Sequence, residues 1–76
     1  MILVCSSEEN TDRGGQDIND GRQNKQDSAE DCCHSCMDTP RCSTWTYNKE
    51  TNDCWLKWGI PEPTDNDIAT SGVKYV

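Results

Sequence analysis

Seventy-six residues carry 14 acidic against 7 basic side chains, a formal charge of −7, and only 32% of them are apolar. That length allows a single domain, residues 1–76, and a chain so short buries only about 60% of its unfolded surface, so its core is marginal. The charge argues against nucleic acid, whose affinity comes largely from Lys and Arg neutralising phosphates, and the one apolar run, residues 1–4, is far too short for membrane insertion.

In chain order, Ile2 to Val4 is aliphatic and β-branched and predicts a first strand. Residues 6–31 are strongly polar, with turn signals at Gly14-Gly15 and Asp20-Gly21, and predict a long loop with a short extended piece around Gln16 to Ile18. Ser28 is a good helix N-cap, Glu30 and Asp31 suit the positive end of the helix dipole, and Pro40 ends a helix that runs to Met37 or Asp38. Cys32 and Cys36 stand four apart on one face of it, with Cys33 at that face's edge. Ser43 to Asn48 is rich in β-formers, 49–53 is a polar turn, and Cys54 to Trp58 is the returning strand of a hairpin. Pro61 and Pro63 interrupt, Asp65 to Asp67 is polar loop, and Gly72 to Val76 alternates as a last strand. The fold class is a small, disulfide-rich α+β domain, one helix packed on a short antiparallel sheet.

Five of the six cysteines lie between Cys32 and Cys54, and Cys5 stands apart near the start. An even count in a chain with so little core implies full pairing, each bridge contributing roughly 2–4 kcal/mol. Disulfides place the chain in an oxidising compartment, secreted or extracellular. Residues 1–4 are too short for a signal-peptide core and have no basic flank, so the chain reads as a mature product or an excised module. No Asn-x-Ser/Thr acceptor occurs.

Other chemistries fit poorly. Cys32, Cys33, His34, Cys36 and Cys42 form a Cys/His cluster, but zinc knuckles favour two matching Cys-x2-Cys pairs, and His34 points away from the face of Cys36. Residues 17–21 echo the start of a calcium loop, yet the glycine comes one position early and no glutamate closes it. A lone histidine with every cysteine spent on a bridge leaves no catalytic nucleophile pair. No metal, cofactor or enzymatic activity is therefore expected.

The run Cys32-Cys33-x-x-Cys36, then Pro40-Arg41-Cys42-x-x-Trp45-Thr46-Tyr47-Asn48, then Cys54-Trp55-Leu56-Lys57 resembles the PAN/apple domain family. In that family a helix with two cysteines four apart is followed by Cys-x-x-aromatic-x-Tyr and a second strand reading Cys-aromatic-Leu-Lys. Gly15-Gln16-Asp17-Ile18 and Ser71-Gly72-Val73 look like the family's flanking strands, and the paired Cys32-Cys33 looks most like the apple domains of apicomplexan microneme adhesins and similar protist or plant proteins. Carried over by position, the resemblance implies Cys32–Cys54 and Cys36–Cys42, which leaves Cys5 with Cys33; an exchange of roles between the adjacent Cys32 and Cys33 stays open. The chain departs from the blood-protease apple domains, which close with a C-terminal cysteine.

Trp45 and Tyr47 share one strand face, and Trp55 and Lys57 share one face of the next, opposite Cys54, Leu56 and Trp58. The cysteine meets the helix, so Leu56 faces the core and Trp55 and Lys57 fall on the far face, which one helix cannot cover. Either Trp55 is buried under the 59–70 loop, or it forms an aromatic platform beside Lys57, with Tyr47 and Trp58 as neighbours. Such a platform suits sugars, whose C–H faces stack on Trp, and equally a protein partner, since Trp and Tyr dominate interface hot spots. The resemblance implies a non-catalytic recognition module in adhesion, binding a glycan in the manner of a lectin or an extracellular protein. A rival reading is a self-assembling unit whose edge strand, Val73 to Val76, pairs with a neighbour.

Overall fold

A computed structural model of the chain describes residues 5–18 and 24–74. Along them run β1 (Glu8–Asp12), α1 (Ala29–Met37), β2 (Thr44–Asn48), β3 (Cys54–Lys57) and β4 (Thr64–Val73). The strands form one antiparallel sheet in the order β1-β4-β2-β3, and α1 lies on one of its faces. This is the α+β layout expected from the sequence. The strand expected at residues 2–4 and the turn at residues 20–21 lie outside the described residues.

The helix begins where its cap chemistry dictates. Ser28 is extended, its hydroxyl accepts from the Asp31 amide, and Glu30 and Asp31 fill the first turn. The other end is closed by Lys74, whose ammonium donates to the carbonyls of Cys36 and Thr39 at 3.2 and 3.0 Å. Register places Trp45, Tyr47, Cys54, Leu56, Thr70 and Gly72 on the helix face, where Trp45 is 1% exposed. Gly72 lies against the Trp45 ring and the Ser6 carbonyl, a close approach that leaves no room for a side chain.

Three disulfides knit this face together. Cys32 joins Cys54, Cys36 joins Cys42, and Cys5 joins Cys33, the pairs that the resemblance implies.

Two elements differ from the sequence reading. The polar residues 8–12 form a strand rather than a loop, because β4 supplies pairing partners on both sides of a register shift and ion pairs replace apolar contacts: Arg13 with Glu8, and Lys49 with Glu9. Between the pairs Glu9–Thr70 and Thr11–Asp65 the single residue Asn10 of β1, at φ 55°, faces residues 66–69 of β4, so the bulge lies on β4. Likewise 65–67 belongs to β4, where Thr64 and Asp65 pair with β1 beyond the end of β2, an exposed stretch that tolerates carboxylates.

The C-terminal strand lies between β1 and β2, paired with β1 as far as Ser71 and with β2 as far as Val73; of the edge expected at Val73 to Val76, residues 75–76 lie outside the described residues. The outer edge of β3 is also covered, by bridges from Asp17 to Lys57 and from Lys25 to Asp53. The outer edge of β1 carries Glu8, Glu9 and Asp12 and the left-handed Asn10, features that oppose edge-to-edge pairing.

Candidate functional site

The far face of the sheet is closed. After β1 the chain crosses it to reach the edge of β3. On the way the Thr11 carbonyl accepts from Ser71 Oγ at 2.7 Å, and the Gly15 carbonyl accepts from Lys57 Nζ at 3.1 Å. Beneath this strap Thr44, Thr46 and Ser71 are 3% exposed or less, and Thr46 Oγ1 meets Ser71 Oγ at 3.0 Å. The strap over this face is thus residues 11–17.

The residues singled out as a platform are therefore dispersed. Lys57 faces the strap with its ammonium on Asp17, so it is not presented to a ligand. Tyr47 belongs to the core: its hydroxyl donates to the Gln26 carbonyl at 3.1 Å and accepts from Asn52 Nδ2 at 2.6 Å. Trp55 is half-buried on the far face, across from Thr46. Trp58 alone stands out, 54% exposed, with Ile60 beside it in sequence at 59%. Reading strand alternation alone omits the strap, since nothing in the polar run 11–17 announces which face it crosses.

A concave site opens instead on the helix side. It is a cavity of about 350 Å³ lined by Cys5, Ser7, Ala29, Glu30, Cys33, His34 and Trp45. Each wall follows from local structure. The Ser28 cap fixes the helix start, and positions 29, 30, 33 and 34 then fall along one side of α1. Gly72 lets Trp45 lie flat against the sheet beneath them. The Cys5–Cys33 bridge draws residues 5–7 over to the helix and makes the disulfide itself a wall.

The cavity has an apolar floor and a polar mouth. Trp45, Cys33 and Ala29 form the floor; Ser7, Glu30 and His34 stand around the opening. His34 Nε2 is 4.0 Å from Glu30 Oε1, with side chains 47% and 75% exposed. The mouth thus offers a hydroxyl, a carboxylate and an imidazole, acceptors and donors together. Sequence reasoning points His34 away from the face of Cys36 and assigns Glu30 to the helix dipole. Only the Cys5–Cys33 bridge ties Ser7 to them.

All six cysteines are bonded, so no thiolate is present. Among the described residues no three His, Cys, Asp or Glu side chains gather as metal ligands, and no helix is long and apolar enough to cross a membrane.

Over 35 residues the chain is 51% identical to the microneme antigen L2 of Sarcocystis muris, covering 46% of this chain and 25% of that one. It is 47% identical over 34 residues to the major microneme antigen of the same organism, covering 45% of this chain and 14% of the relative. The match thus spans a quarter or less of the length of these relatives. A family model described as the PAN domain matches residues 11–57, more than half of the chain and the stretch that runs from the strap through α1 to the end of β3. The chain belongs to the PAN domain family.

Proposed function

We propose that this PAN domain is an extracellular, non-catalytic recognition module in adhesion that binds a neutral sugar in the cavity over Trp45. The observation that carries the reading is the cavity's construction. An apolar floor of the Cys5–Cys33 disulfide and the Ala29 methyl, backed by the buried Trp45 indole, lies under a mouth where donors and acceptors converge. A pyranose has the matching character, with C–H faces for the floor and hydroxyls that both donate and accept for the mouth. The volume, about 350 Å³, lies at the small end of ligand sites. Glu30 at the opening and a net charge of −7 favour an uncharged glycan over a sulfated or sialylated one. Three disulfides in so short a chain, and relatives that are microneme antigens, support a location outside the reducing cytosol.

A glycan array comparing neutral with anionic structures tests this, followed by calorimetry on rim variants. Neutral glycans bind, and Ser7→Ala, Glu30→Gln and His34→Ala each weaken binding roughly 5- to 10-fold, the worth of one hydrogen bond of about 1–1.5 kcal/mol. All three positions are exposed or at the mouth, so melting temperatures stay near that of the parent. An array without a neutral-sugar signal, or a signal unmoved by all three substitutions, refutes the site.

A further inference from the structure

We infer a second recognition surface on the segment that joins β3 to β4, centred on Trp58 and Ile60, whose partner is a protein with an apolar socket rimmed by Lys or Arg. These two large apolar side chains are 54% and 59% exposed on a chain that is otherwise short of apolar residues. They are also rigidly displayed. The Trp58 amide donates to the Gln16 carbonyl at 3.0 Å, Gly59 lies against the Gln16 side chain, and Arg13 Nη1 donates to the Pro61 carbonyl at 2.9 Å. A segment anchored at both ends loses little freedom on binding.

The charge around it selects the partner. Both cations of this neighbourhood are turned inward. Arg13 is 11% exposed and bound to Glu8, and Lys57 is 3% exposed and bound to Asp17. Glu62 stands on the segment, which then enters β4 beside Asp12 and Asp65; among the described residues none of these three is in an ion pair. The surface is thus an apolar centre with an acidic border, complementary to a basic rim. A second copy of this chain presents the same acidic border and the same net charge, so like charges oppose self-pairing here. The cavity over Trp45 shares no lining residue with this surface, so the domain is able to bridge two partners.

Selection of a random phage-displayed peptide library on the folded, oxidised chain tests the inference. The selected peptides combine Lys or Arg with a large apolar residue. The double variant Trp58→Ser, Ile60→Ser weakens them roughly tenfold or more, and raised salt weakens them further. Near-UV circular dichroism and a disulfide map check that the variant is folded. Selection of no peptide, selection of uncharged or acidic peptides, or affinity unchanged in the double variant overturns the proposal. So does sedimentation showing a dimer of the parent chain that the double variant abolishes, since that assigns the surface to a second copy.

Discussion

Lys57 Nζ lies 2.5 Å from Asp17 Oδ1, joining the end of β3 to the strap that closes the far face. The two partners are unequally buried, the lysine side chain 3% exposed and the aspartate 31%. Their removal should therefore be unequal. Asp17→Ala strands an ammonium with only the Gly15 carbonyl to bind, at a cost of about 3–5 kcal/mol. Lys57→Met fills the same volume and leaves a carboxylate that water reaches, at about 1–2 kcal/mol. Urea denaturation of both variants checks the order; equal costs would mean that the strap lifts and hydrates whichever charge remains.

The disulfides should differ in accessibility and in worth. Cys5 is half-buried beside an open cavity, whereas Cys32, Cys54, Cys36 and Cys42 are 2% exposed or less. Limited reduction followed by alkylation and mass spectrometry should label Cys5 and Cys33 first. Among the buried bridges, Cys32–Cys54 spans 22 residues and Cys36–Cys42 spans 6. The chain-entropy account then makes loss of the first costlier by about 1 kcal/mol. Equal melting shifts in the two double-alanine variants would count against that account here.

The helix and the hairpin were legible because their signals are local: Ser28 caps three residues ahead of the amide that donates to it, and Cys32 and Cys36 share a face by helical period, whereas the cysteine pairing was implied by the resemblance alone. The strand at 8–12 and the first half of β4 were not legible, since Glu, Asp and Asn disfavour strands and only the long-range ladder between residues 8–12 and 64–71 makes them pair. The same limit hid both the burial of Lys57 and the cavity over Trp45. Each depends on a segment distant in sequence, residues 11–17 for one and residues 5–7 for the other, coming to rest on a face that alternation leaves blank.

Gly72 is a test of how tightly β4 is packed. A Cβ there would meet the Ser6 carbonyl oxygen and two carbons of the Trp45 indole at 2.7 Å. Neither a backbone oxygen nor a ring held at 1% exposure yields easily. Gly72→Ala should cost about 1–3 kcal/mol by overpacking and shift the near-UV signal of Trp45. A variant with the parent's melting temperature would show that β1 and its leading residues move aside freely.

The acid limb of stability should report the link between residues 24–26 and β3. The Lys25 ammonium, 2.8 Å from Asp53 Oδ1, and next the Thr51 hydroxyl, 2.8 Å from Oδ2, hold the Asp53 carboxyl below its ordinary value. A carboxyl whose folded pKa is depressed stabilises the fold above its unfolded value, about 3.9, and that contribution disappears as pH falls through the depressed value. Lys25→Ala returns Asp53 toward ordinary behaviour. The variant should be less stable than the parent at pH 7, and the difference should shrink below about pH 4 and vanish in stronger acid. Because the Lys25 side chain is 53% exposed, added salt should also narrow the gap at pH 7. Denaturation curves across pH, with the Asp53 titration followed by NMR, check this; a gap that persists undiminished in acid would assign the effect of Lys25 to packing of its stem and not to the carboxylate.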